Sequence, residues 1–222
     1  NTNLDKNTGK IRSIMKLIME NWRGYLTEGM KTVADLPDDI YIGIQGNEHN
    51  DDVDFYYAKK DGNETDPYGD LTGMVQIRRP GETMPTWGKV KSDGPCSDAW
   101  IVAGTEASKG WGPLLYDVAI EWATANGGGL TPDRHSVSMD AAKVWDYYLN
   151  KRSDVSADQL DDLENSLTDP EDDNCVQVSA RDYAGKNWAD TPLSKKYTKA
   201  PTTITQLEKM GKLINFNETP KL

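Results

Sequence analysis

The stretch from Ala99 to Arg152 limits what this chain can fold into more than any other. It opens with Ala99-Trp-Ile-Val-Ala103, a short apolar run that predicts a strand. Gly110-Trp-Gly-Pro113 then leads directly into Leu114-Leu-Tyr-Asp-Val-Ala-Ile-Glu-Trp-Ala123, which has the spacing of a strong helix. Pro113 suits the first helical position, where its missing N–H is not needed. Asn126-Gly-Gly-Gly129 ends the helix with residues that tolerate left-handed geometry. A strand, a Gly-x-Gly turn and a helix start together form an anion cradle. The glycines let backbone approach closely, and the first N–H groups of the helix point outward with the helix dipole behind them. The same pattern also serves plain tight turns, so the order of the surrounding elements has to decide.

Before this stretch, Ile11, Ile14, Met15, Ile18, Trp22, Tyr25 and Leu26 form one apolar stripe at helical spacing, with Gly29 as the stop. Three strands are predicted next, at 39–45, 53–58 and 71–77, separated by Gly-, Asn-, Asp- and Pro-rich turns. After it come a short strand over 130–134 and a helix from Met139 to Leu149 capped by Ser138. A short helix is expected over 158–167, a strand over 175–179 and a terminal helix over 205–213. The sum is a mixed α+β fold: an N-terminal helix, four antiparallel strands, two following helices and a C-terminal extension. The glycine turn follows a fourth strand and has two glycines, which excludes a dinucleotide-binding first turn. No Gly-Lys-Ser/Thr follows it, so a P-loop is excluded as well.

Charge narrows the partners. The net charge of −11 argues against a protein that coats nucleic acid, which needs a basic face. Between Lys151 and Asn174 nine acids face two bases, and from Val176 onward eight bases face four acids. This polarity divides the chain into a core over 1–152, an acidic linker over 153–174 and a basic extension over 175–222. The extension either folds back on the acidic stretch, meets an acidic partner, or stays a solvated tail. With 36% hydrophobic residues, seven Trp and ten Tyr the chain can bury a core. No apolar run reaches the ~20 residues of a membrane span, and no signal sequence is visible at Asn1-Thr-Asn3. Cys96 and Cys175 make no disulfide framework. With only His49 and His135 beside them, no metal site is expected.

The stretch Ala107-Ser-Lys-Gly110-Trp-Gly112, placed between a fourth strand and a helix, resembles the Gln/Arg-x-x-Gly-x-Gly/Ala signature of the GNAT superfamily of N-acetyltransferases. The helix carrying Ala141, Val144, Trp145 and Tyr148 resembles the family's next helix. Residues 110–152 and Leu193-Ser-Lys-Lys-Tyr-Thr-Lys199 also look like GNAT-like proteins of tailed bacteriophages. The resemblance implies a V-shaped splay after the fourth strand and acetyl-coenzyme A as cofactor. The pyrophosphate would lie on the backbone of Lys109, Gly110, Trp111 and Gly112, and the pantetheine arm beside main-chain groups of Ile101 and Val102. It implies transfer of an acetyl group to a small amine, a peptide or a protein amine. It also implies a location in a host cytoplasm or a virion. A noncatalytic module of the same fold, with a virion or host protein as partner, is the alternative.

Two departures bear on catalysis. Ala107 stands where the family has Gln or Arg, and Trp145 stands where the family's tyrosine protonates the departing thiolate; an indole offers no acidic proton. Tyr148 and Tyr147 are the substitutes for that general acid, although Trp145 and Tyr148 read equally as core aromatics. Asp98 and Glu106 are either a base working through water or solvated surface acids. Asp133-Arg-His135 is either a substrate-side cluster or a loop salt bridge. Cys96 lacks a neighbouring His to activate it.

Overall fold

A computed structural model describes residues 29–47, 52–60, 71–79, 98–134, 137–160 and 190–215. The expected N-terminal helix, the strand at 175–179, His135 and both cysteines lie outside the described residues. The fold is mixed α+β, as read from the sequence. Its strands are β1 (Ile40–Asn47), β2 (Asp52–Lys59), β3 (Gly73–Arg78), β4 (Trp100–Ala107), β5 (Leu130–Thr131), β6 (Val155–Gln159), β7 (Lys195–Lys199) and β8 (Leu213–Asn215). The helices are α1 (Gly112–Ala125), α2 (Met139–Lys151) and α3 (Thr202–Lys209).

Among the described residues eight strands join one sheet in the order β6-β7-β5-β4-β3-β2-β1-β8. From β1 to β4 the pairing is antiparallel, and alternation sorts the side chains. Ile42, Ile44, Phe55, Tyr57, Val75, Ile77 and Val102 enter the main core together with α1. Helix α1 buries Leu114, Leu115, Val118, Ala119, Ile120 and Ala123 there. Burying a leucine or isoleucine such as Leu115 or Ile120 stabilises by about 1.5–3 kcal/mol each. Ile101 packs separately with Leu160.

The C-terminal part departs from expectation. Asp158 and Gln159 do not begin a helix; they end β6, which pairs antiparallel with β7. Strand β6 therefore lies within the segment read as an acidic linker. Strand β7 enters the sheet between β5 and β6, second in the strand order. The terminal helix sits earlier than expected, at Thr202–Lys209, and Leu213 already belongs to β8. Strand β8 runs parallel to β1, and the Lys212 ammonium donates to the carbonyls of Pro37 (2.7 Å) and Ile40 (3.1 Å).

The C-terminal segment is fastened to α1 by a buried ion pair. The Lys199 ammonium on β7 bonds to the Glu121 carboxylate, and both side chains are 2% exposed or less. Glu121 also accepts from the backbone N–H groups of Thr203 and Ile204, at 2.7 Å each. It thereby satisfies donors at the start of α3 that have no intrahelical partner. The pair is buried and fully bonded, so its worth lies in what happens when one partner goes. Lys199→Met, which leaves the carboxylate buried and uncompensated, is expected to cost about 3–5 kcal/mol in urea unfolding. A loss below about 1 kcal/mol would show that water reaches the carboxylate.

Candidate functional site

Strand β4 and the short strand β5 are parallel neighbours for two residue pairs only, Trp100 with Leu130 and Ile101 with Thr131. On its other side β4 stays paired with β3 out to Ala107. Two local causes separate β4 from β5. Opposite Gln76 and Ile77 the register slips, so Ala103 is an extra residue on β4, a bulge that bends and twists the strand. The residue after Thr131 is Pro132, which has no N–H to extend a ladder.

The gap is a cleft of about 210 Å³. Val102, Ala103, Gly104 and Thr105 of β4 line one side. Tyr116 of α1, Asp133 and Val137, the cap residue Ser138, and Ala141 and Trp145 of α2 line the rest. Ser138 caps α2 as the sequence predicts, its hydroxyl accepting from the N–H of Ala141 at 3.2 Å. Trp145 is 1% exposed, with its ring 4.8 Å from that of Tyr197 on β7 and 5.2 Å from that of Tyr116. Tyr116 is buried, and its hydroxyl has no hydrogen-bond partner. Burial pushes its pKa up to about 12; the nearby Thr105 hydroxyl, outside regular hydrogen-bond geometry, opposes the rise, and the Asp133 charge adds to it.

The glycine turn meets α1 beyond the C-terminal end of β4. Gly110 has a φ of +85°, a conformation that L side chains rarely adopt, and a Cβ there would stand 2.0 Å from the carbonyl oxygen of Gly29. Its carbonyl accepts from the N–H of Lys31 at 3.0 Å. Gly110 is thus explained by the chain packed against it. Gly112 is different, since a Cβ there would meet only the Ala107 Cβ, at 3.7 Å. Trp111 donates its N–H to Ser108, and its ring stacks edge-on with Tyr57 at 5.6 Å, with the Lys31 ammonium 5.9 Å above it. No side chain caps the N-terminus of α1, no acid lies in its first turn, and Pro113 brings no N–H. The first-turn N–H groups of Gly112 and Leu114 have no acceptor within the helix.

The remaining expected site residues are distributed as follows. Val102 lines the cleft, whereas Ile101 is the register partner of Thr131 and packs on Leu160, away from it. The Tyr148 hydroxyl faces the carbonyl of Pro113 (2.9 Å) and the Asp117 carboxylate (2.8 Å), and Tyr148 does not line the cleft. Burial, first of all, raises its pKa well above the phenol value, with Asp117 adding to it. Tyr147 is half-buried, with the Arg152 guanidinium 5.9 Å from its ring, and is also outside the lining. Arg152 ties Asp117 (3.0 Å) to Asp154 (2.7 Å). Asp98 is a turn residue with φ of +59° at the far end of β4, and Glu106 is exposed. Asp133 lines the cleft, while Arg134 is buried and bonds the Leu193 carbonyl at 2.8 Å. Sequence reading singled out neither Tyr116 nor Thr105. Among the described residues no group of three or more His, Cys, Asp or Glu is placed to hold a metal, and no helix is long and apolar enough to cross a membrane.

Comparison with family models, curated proteins and solved structures finds no match to this chain.

Gly110→Ala is expected to lower stability by about 1–3 kcal/mol, because the left-handed backbone and the Gly29 carbonyl both resist a side chain. Gly112→Ala is expected to stay within about 0.5 kcal/mol of the wild type. Thermal unfolding of both variants checks the contrast, and equal losses would contradict it. A second expectation concerns acid. Arg152 holds the Asp154 carboxyl down to about 2, from an ordinary value of 3.8. A depressed carboxylate stabilises fully above its unfolded pKa and loses that contribution as pH falls through the folded one. The stability gap between wild type and Asp154→Asn should therefore hold steady down to about pH 4 and close between about pH 4 and 2. Urea unfolding at a series of pH values measures it, and a gap unchanged at about pH 2 would count against the Arg152 pairing.

Proposed function

We propose that the cleft beside β4 receives the pantetheine arm of an acyl-coenzyme A, and that the chain is a GNAT-type N-acyltransferase passing an acetyl group to an amine. The observation that carries this reading is the parting of β4 from β5 after two residue pairs, which leaves Val102–Thr105 bordering an open cleft. An extended chain of amides can add to such an edge as a further strand, with main-chain groups giving affinity. The pyrophosphate then falls at the uncapped first turn of α1, where free N–H groups and the helix dipole favour an anion. Lys31, seated over Trp111, brings a positive charge to the same end. These features agree with the resemblance of 107–112 to the family's signature.

The chemistry requires little of the protein. The amine nitrogen bonds to the thioester carbonyl carbon, the carbon–sulfur bond breaks, the amine loses a proton and the thiolate gains one. The net charge of −11 favours cationic acceptors, weakly at physiological salt. One observation favours a second reading. The general-acid candidates Tyr148 and Tyr147 stand outside the cleft lining, and Trp145 occupies the wall. A noncatalytic module that binds the coenzyme without turnover, and serves in a virion or at a host protein, accounts for that arrangement. The similarity to bacteriophage proteins agrees with either reading.

Titrating acetyl-coenzyme A in a thermal-shift experiment tests the binding common to both. At a hundredfold excess over Kd the folded state gains about 2.7 kcal/mol, a shift of several degrees. A flat response at millimolar ligand would contradict the reading. Thiol release with a panel of amines then separates the two: turnover selects the transferase, and binding without turnover selects the module. For the second reading, the protein should also appear in purified particles or retain a host partner in a pull-down.

A further inference from the structure

Tyr116 presents a feature that neither packing nor the helix requires. Its ring is clamped at 5.2 Å by Trp145 and at 6.4 Å by Tyr148, so its position is fixed before any ligand arrives. A phenylalanine would fill the same space. The hydroxyl is buried, and it is the one buried side-chain polar atom among the described residues that finds no hydrogen-bond partner. Burying a polar group without a partner is unfavourable, and native structures keep few such groups. Tyr116 lines a cleft together with strand residues Val102–Thr105, whose β5 side is unpaired.

We propose that Tyr116 is a ligand-binding residue whose hydroxyl donates a hydrogen bond to an amide carbonyl of the pantetheine arm lying along β4. This rests on the cleft being the coenzyme site. The phenol remains protonated throughout the physiological range, so it keeps an O–H to donate to an amide carbonyl. The amide class follows from the strand edge, since a chain that pairs with main-chain groups of 102–105 carries carbonyls at the spacing of a peptide. Tyr116 lies in the second turn of α1, so in this proposal its hydroxyl serves the arm and the uncapped first turn serves the nucleotide.

The test uses the full 222-residue chain and its Tyr116→Phe variant. Calorimetry is run with coenzyme A and with adenosine 3′,5′-bisphosphate, which keeps the anionic end and lacks the arm. The variant without ligand is expected to melt at the wild-type temperature or above it, because an unsatisfied buried hydroxyl has been removed. Its affinity for coenzyme A should fall about fivefold to tenfold, as for one lost hydrogen bond. Its affinity for the bisphosphate should not change. Wild-type affinity for coenzyme A in the variant would overturn the role of Tyr116 while leaving the coenzyme site intact. Equal losses for both ligands, with a lowered melting temperature, would assign Tyr116 to structure alone. If the wild type itself binds neither ligand, the coenzyme reading fails, and the role of Tyr116 fails with it.

Discussion

The pairing of Lys199 with Glu121 is the contact on which the arrangement depends. It joins a strand near the end of the chain to the middle of α1, and Glu121 holds the start of α3 with two more hydrogen bonds. Around it, Asp154 stands 3.8 Å from the same ammonium, and Arg152 links Asp154 to Asp117 on α1. Charges from α1, from the turn between α2 and β6, and from β7 thus meet in one cluster. A buried ion pair is a weak source of net stability, but losing one partner is costly, and that makes the position of β7 specific. With β7 in place Tyr197 lies against Trp145, and Trp145 in turn forms a wall of the cleft.

The cleft itself is a consequence of local backbone chemistry. A bulge at Ala103 turns β4 away, and Pro132 stops β5 before it can follow. Side chains from α1 and α2 line the space that remains without filling it. Its polar lining residues, Thr105, Tyr116, Asp133 and Ser138, come from β4, α1 and the stretch leading into α2, which only the fold brings together. Ring contacts with Trp145 and Tyr148 hold Tyr116, so this wall of the cleft is fixed in place.

Some of this was legible in the sequence. The strand, turn and helix from Ala99 to Ala123 were readable because apolar spacing, glycine and proline all pointed the same way. The cap at Ser138 and the following helix were readable for the same reason. Strand β7 was not, because Lys195-Lys-Tyr-Thr-Lys199 offers one aromatic among charged and polar residues. Lysine reads as exposed unless its buried partner, 78 positions away, is known. Strand β6 was hidden in an acidic stretch whose charge suggested a solvated linker, although its pairing needs only backbone. Gly110 looked like an anion cradle, and its geometry is explained first by Gly29. Tyr116 looked like one more apolar position of a core helix, because no sequence pattern reveals that a buried hydroxyl lacks a partner.

The cleft beside β4 and the first turn of α1 are proposed to form one binding site for a coenzyme A thioester. Amide-resolved NMR of the labelled protein, titrated with acetyl-coenzyme A, tests it most directly. Saturable shifts are expected at Val102–Thr105, Gly112, Leu114 and the start of α2, with β1 and β8 unmoved. Shifts absent throughout the titration, or gathered at β1 and β8 and sparing β4, would contradict it.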